Sequence, residues 1–134
     1  MSIGAAIRIT SADEERVIRH AASFAARAQL PCFIIAVVDE LPYGRDAADT
    51  RDAILANLAL IETVHATPVM QEGSDVAQTL LAVARGFGVK TLFLQSGTAR
   101  LLGRSIAERL IYLDPPFDVV VVSSGGTSEG TDDG

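Results

Sequence analysis

The sequence predicts an α/β sandwich built on a mostly parallel sheet, and three observations carry that expectation. Five short strand-type runs alternate with stretches whose apolar residues recur at helical spacing, a β-α period that holds along the whole chain. The run Cys32-Phe33-Ile34-Ile35-Ala36-Val37-Val38 is apolar without alternation, as a parallel strand covered on both faces requires. Finally, 134 residues that are 49% hydrophobic and 21% charged, with a mean hydropathy of +0.30, suffice to close one core and would be cramped as two domains.

The elements follow in order. Ala5 to Thr10 is a short strand. Asp13, Glu14 and Glu15 then place three acids where the first turn of a helix begins, at the positive end of its dipole. Val17, Ile18, Ala21, Ala22, Phe24, Ala25 and Ala28 form the apolar face of that helix, and Arg16, Arg19, Ser23 and Arg27 the other. Leu30-Pro31 ends it, and the central strand Cys32 to Val38 follows. After a polar loop from Asp39 to Asp49, a second helix is marked by Ile54, Leu55, Leu58, Ile61 and Val64. Thr67 to Gln71 is a strand that Pro68 assigns to the sheet edge, since proline cannot donate to a ladder. Gly73-Ser74-Asp75 is a turn and N-cap before a helix with Val76, Ala77, Leu80, Leu81, Ala84 and Phe87 on one face, stopped by Gly86 and Gly88. Val89 to Leu94 is a fourth strand, Gln95 to Gly103 a loop, Arg104 to Leu113 a shorter helix and Phe117 to Val122 the last strand. Residues 1–123 make the domain; the tail 124–134 holds only Ser, Gly, Thr and acids, cannot bury anything and is expected to be disordered.

Composition also limits partners. Seventeen acids against eleven bases give a net charge of −6 and a pI near 4.7, which opposes a sequence-independent grip on nucleic acid or an anionic membrane. The longest apolar run is far too short to span a bilayer, and the first residues lack a basic-then-apolar leader. The single Cys32 excludes an internal disulfide and a CxxC pair. A soluble cytoplasmic protein without membrane insertion is expected.

In an open parallel sheet the ligand site lies beyond the carboxyl ends of the strands, where strand order reverses. The candidates are therefore countable: Thr10 and Ser11, Asp39 and Glu40, Gln71 and Glu72, Gln95 to Arg104, and Ser123. Among them, Gln95-Ser96-Gly97-Thr98-Ala99-Arg100-Leu101-Leu102-Gly103-Arg104-Ser105 combines glycines, hydroxyls and two arginines ahead of a helix, the composition of an anion cradle. Turn glycines, an N-cap serine and solvated arginines explain the same residues without a ligand. No GxxxxGK[ST] motif occurs, and Gly86-Phe87-Gly88 precedes a strand instead of opening a helix. Glu62 and His65 have an i, i+3 spacing used in di-metal sites, but no second pair accompanies them. His20 reads as a surface residue, Cys32 as a core residue, and Asp39 with Glu40 as the start of a solvated loop. A phosphoacceptor receiver is excluded, because Thr10, Gln71 and Ser123 stand where it needs two acids and a lysine.

From about Ala5 to Ser123 the sequence resembles the universal stress protein family, and within it the stress-protein-like domain of the KdpD sensor kinases. The resemblance is carried by Glu15-Arg16-Val17-Ile18-Arg19-His20-Ala21-Ala22 with Phe24-Ala25-Ala26-Arg27. Asp75-Val76-Ala77 with Leu80-Leu81-Ala82-Val83-Ala84-Arg85, Ser105-Ile106-Ala107-Glu108-Arg109-Leu110, and Phe117-Asp118-Val119-Val120-Val121-Val122 complete it. It implies a doubly wound five-stranded sheet of order 3-2-1-4-5 with helices on both faces, and a homodimer joined through the last strand, at Val119, Val120, Val121 and Val122. Nucleotide-binding members carry Gly-x-x-Gly, nine residues, then Gly-Ser or Gly-Thr after the fourth strand. Here Leu94 or Gln95 stands near the first glycine, the loop is shorter, and Arg104-Ser105 beside Gly103 replaces the closing pair. Thr10 and Ser11 replace the aspartate on the adenine side, and Thr10-Ser11-Ala12 and Phe33-Ile34-Ile35 keep fragments of a cyclic di-AMP motif.

Two functions from different classes are expected. One is a non-catalytic regulatory domain binding ATP, AMP or a cyclic dinucleotide. Its phosphates would be taken by Ser96, Gly97, Thr98, Arg100 and Arg104 with the helix start at Ser105, its base would lie at Val37 and Val38, and Thr10, Ser11, Gln95 and Gly103 would line the site. The other is a ligand-free module that dimerises through the last strand and regulates a transporter or sensor kinase. A hydrolase acting through Asp39 or Glu40 lacks a converging acid, base and nucleophile.

Overall fold

The computed structural model describes residues 1–38, 47–96 and 106–123. Its strands are β1 (Ser2–Ile7), β2 (Cys32–Val38), β3 (Thr67–Glu72), β4 (Val89–Gln95) and β5 (Asp118–Val122); its described helices are α1 (Glu15–Ala28), α2 (Ala47–Thr63), α3 (Val76–Gly86) and α4 (Ile106–Tyr112). They form one five-stranded sheet in the order β3-β2-β1-β4-β5, with every pairing parallel. Strand order reverses at β1, which has β2 on one side and β4 on the other.

Alternate residues of the central strands feed two cores. Ile3, Ala5 and Ile7 of β1, with Cys32, Ile34 and Ala36 of β2 and Phe93 of β4, pack against Val17, Ile18, Ala21 and Ala25 of α1 and Ile61 of α2. Ala6, Ile35, Leu92 and Leu94 face the other way, toward Ala77, Leu80 and Ala84 of α3 and Leu110 of α4. The unbroken apolar run of β2 is thus accounted for, since each face of the strand has its own core. Phe24 of α1 meets Phe93 edge-on at 5.5 Å.

Element ends show where local sequence was and was not sufficient. Strand β1 runs Ser2–Ile7, earlier than the expected Ala5 to Thr10. Ser2 anchors its start: the Ser2 N–H donates to the Gly88 carbonyl and its Oγ to the Phe87 carbonyl, both at 2.9 Å. Thr10 falls instead in a turn closed by the Ser11 N–H on the Arg8 carbonyl, 2.9 Å. Phe87, expected on the buried face of α3, lies just past the helix, 43% exposed, with its ring 4.5 Å from that of Phe33. Gln95 belongs to β4 and not to the loop, and β5 begins at Asp118.

Other expectations hold. Asp75 caps α3, accepting the Gln78 N–H at 3.1 Å, and β3 is an edge strand that accommodates Pro68. The Gln78 N–H and the Arg109 guanidinium, 3.1 Å away on α4, hold the Asp75 carboxyl below the usual range. Helices α1 and α2 close with the same motif: Gln29 (φ 58°) and His65 (φ 61°) turn left-handed, and the N–H groups of Leu30 and Ala66 reach back to Ala25 and Ile61.

Candidate functional site

The reversal of strand order puts the ends of β1 and β4 side by side, with the start of α1 above them. Three segments meet there: Arg8 to Ser11 after β1, Asp13 to Glu15 at the head of α1, and Gln95 at the end of β4. What they build is a buried polar cluster centred on Glu14, whose side chain is fully buried. The Arg8 N–H donates to Glu14 Oε1 at 2.8 Å, and the Arg8 guanidinium stands 3.6 Å from Glu14 Oε2. Gln95, 1% exposed, donates from Nε2 to the same Oε2 at 3.3 Å and to the Asp13 carbonyl.

A second polar residue ties the turn to α2. Asn57, 5% exposed, donates its Nδ2 hydrogens to the carbonyls of Ile9, at 2.8 Å, and Ser11, at 2.9 Å. Two backbone acceptors that no strand partner reaches are thereby satisfied in the interior. Ser11 closes the turn from outside, its Oγ accepting the Asp13 N–H at 3.2 Å.

Of the residues expected to bind a ligand, Thr10, Ser11 and Gln95 lie at the ends of β1 and β4. Thr10 is exposed and Ser11 half-buried, whereas Gln95 is turned inward. Val37 and Val38 end β2 beside β1, each half-buried; their register partners in β3 are Gln71 and Glu72, and the Val38 carbonyl accepts the Gly73 N–H. Ser96 is half-buried at the end of β4. Gly97, Thr98, Arg100, Gly103, Arg104 and Ser105, together with Asp39 and Glu40, fall outside the described residues. Arg8, Glu14 and Asn57 were not singled out as site residues. Asn57 was legible in principle, because it shares the helical stripe of Ile54 and Ile61.

The remaining candidates lie elsewhere. His65 is the left-handed residue that closes α2, so Glu62 and His65 do not share a regular helical face, and no cluster of three metal-ligating side chains occurs among the described residues. His20 is exposed on α1, with its pKa lowered by desolvation and by Arg16 and Arg27. Burial pushes the Cys32 thiol up to about 11, which keeps it protonated and unreactive at neutral pH. An open groove of about 840 Å³ runs between β3 and α3, lined by Val69, Gln71, Asp75, Gln78, Val83 and Phe87. No described helix is long and apolar enough to cross a membrane.

The sequence matches no protein-family model and no curated protein. Solved structures do share the fold. A protein from the universal stress protein family of Burkholderia pseudomallei superposes with a TM-score of 0.61 at 24% identity, over 90% of this chain and 95% of that one. The universal stress protein from Archaeoglobus fulgidus in complex with dAMP gives 0.64 at 17% identity, over 90% and 96%. A universal stress protein in complex with cAMP gives 0.62 at 16% identity, over 92% and 98%. The chain therefore has the five-stranded α/β fold of universal stress proteins.

Proposed function

We propose that this chain is a non-catalytic regulatory domain of universal stress type, with residues 1–123 as its working unit, that binds an adenine nucleotide at the carboxyl rim of the sheet. The observation that carries the reading is the reversal of strand order at β1, the place where open parallel sheets take ligands, in a fold shared with a dAMP complex and a cAMP complex. Phosphates would be held by Ser96, Gly97, Thr98, Arg100 and Arg104 with Gly103 and the helix start near Ser105, and the base by the ends of β1 and β2 at Thr10, Ser11, Val37 and Val38. Binding, orientation and release then suffice for a regulatory signal. The KdpD-like sequence features fit a cytoplasmic regulator of a kinase or transporter.

The test is calorimetric titration with ATP, AMP and cyclic di-AMP. At least one is expected to bind, and Arg100→Ala should weaken that binding about tenfold by removing one charge-assisted phosphate contact. Heat-neutral titrations with all three would reject nucleotide binding.

A second reading rests on β5. This edge strand exposes Val120 by 38% and Val121 by 48%, an apolar strip on a strand hydrogen-bonded to β4 alone in the sheet. Homodimerisation through Val119 to Val122, with or without nucleotide, is the alternative function of the same chain.

A further inference from the structure

We infer that the Glu14 carboxylate is an internal anion held between the ends of β1 and β4, and that it sets the class of group admitted beside it: an uncharged base or nucleoside end, never a phosphate. A helix start beside strand ends ordinarily offers unpaired N–H groups to a ligand anion. Here the donors at the strand ends are given to a side chain instead, while Glu14 itself caps no N–H of α1. The backbone N–H of Arg8, the Arg8 guanidinium and the Gln95 amide all converge on the two oxygens of one fully buried side chain.

The orientation of Gln95 shows that the carboxylate organises the cluster. Its Nε2 is spent on Glu14 and the Asp13 carbonyl, which leaves the buried Oε1 with no partner among the described residues. Turning the amide over would set Oε1 against two acceptors, so the unsatisfied oxygen is the lesser cost. Arg8 is in a similar position, with a buried Nε that has no described partner while its terminal nitrogen faces Glu14. Asp13 and Glu15 flank the site, and Arg19, at 2.7 Å, is engaged by Glu15. An incoming phosphate would therefore meet negative charge with no free cation to offset it among these residues.

The consequence for ligand class rests on the nucleotide reading above; the occupancy itself does not, and the experiment separates them. Thermal unfolding of wild type, E14A and E14Q is followed in inorganic phosphate and in sodium chloride of equal ionic strength. Relative to chloride, phosphate should raise the Tm of E14A by about 3 °C or more beyond any rise it gives the wild type, because the vacated donors accept the anion. E14Q, which keeps the volume but frees Arg8 of its partner charge, should gain less than E14A and more than wild type. Equal phosphate responses in wild type and both variants would overturn the inference. Should E14A fail to fold, E14Q decides alone: no gain over wild type overturns it. In a parallel titration, E14Q should raise the ATP-to-adenosine affinity ratio about tenfold; an unchanged ratio would refute the selection against phosphate. Silence from both ligands, in wild type and E14Q alike, would reject the nucleotide reading and leave the phosphate result to judge the occupancy.

Discussion

Asn57 and Cys32 show how single side chains bear on stability in this fold. Asn57 is the sole described side chain donating to the Ile9 and Ser11 carbonyls, and both bonds are of good length. Asn57→Ala strands two acceptors in the interior and should destabilise by about 2 kcal/mol, read as a lower urea midpoint with unchanged slope. Cys32 bears on alkaline stability. Burial raises its thiol from 9.0 to about 11, so between those values the unfolded chain has lost a proton that the folded chain retains. The unfolded state is then favoured, and stability should fall as pH rises from about 9 toward 11. Cys32→Ser removes that titration, and its Tm should decline less over the same window. An identical decline in both proteins would show that other groups dominate.

Among the elements, the ends of α1 and α2 carry strain that the sequence does not advertise. Gln29 and His65 adopt the left-handed conformation that glycine adopts freely, because the closing bonds from Leu30 and Ala66 require it. Gln29→Gly should stabilise the protein by about 1 kcal/mol, visible as a higher Tm, since the steric penalty at φ 58° is removed. A lower Tm would mean that the Gln29 side chain contributes contacts outweighing the backbone relief. The same geometry explains why the Glu62 and His65 spacing, which reads as a helical pair in sequence, is not one in space. Strand boundaries show the converse. The start of β1 is set by Ser2 bonding to Phe87 and Gly88, residues far away in the chain, and not by any alternation within it.

For the whole molecule, the exposed valines of β5, Val120 and Val121, leave an apolar strip at a sheet edge. Pairing of two copies through β5 would cover its valines. Light scattering at high concentration should then report a dimer for wild type and a monomer for Val121→Asp, with folding unchanged by circular dichroism. A wild type that stays monomeric would remove this reading. The polar cluster at the ends of β1 and β4 is a whole-molecule feature too, because it exists only once β4 has been inserted beside β1 on the side opposite β2.

Sequence by itself determined the β-α alternation, the double-faced burial of β2, the edge position of β3 and the Asp75 cap, all of which are written in patterns spanning a few neighbouring residues. It also singled out Gln95 at a strand end, where the structure shows it buried and bonded to the head of α1. It could not distinguish Glu14 from Asp13 and Glu15, three adjacent acids that look alike at a helix start. Only tertiary structure decided that one of them is buried. The physical reason is that a carboxylate enters an interior only where donors await it, and Gln95 comes from 81 residues away along the chain. Such long-range satisfaction leaves no local periodicity to read.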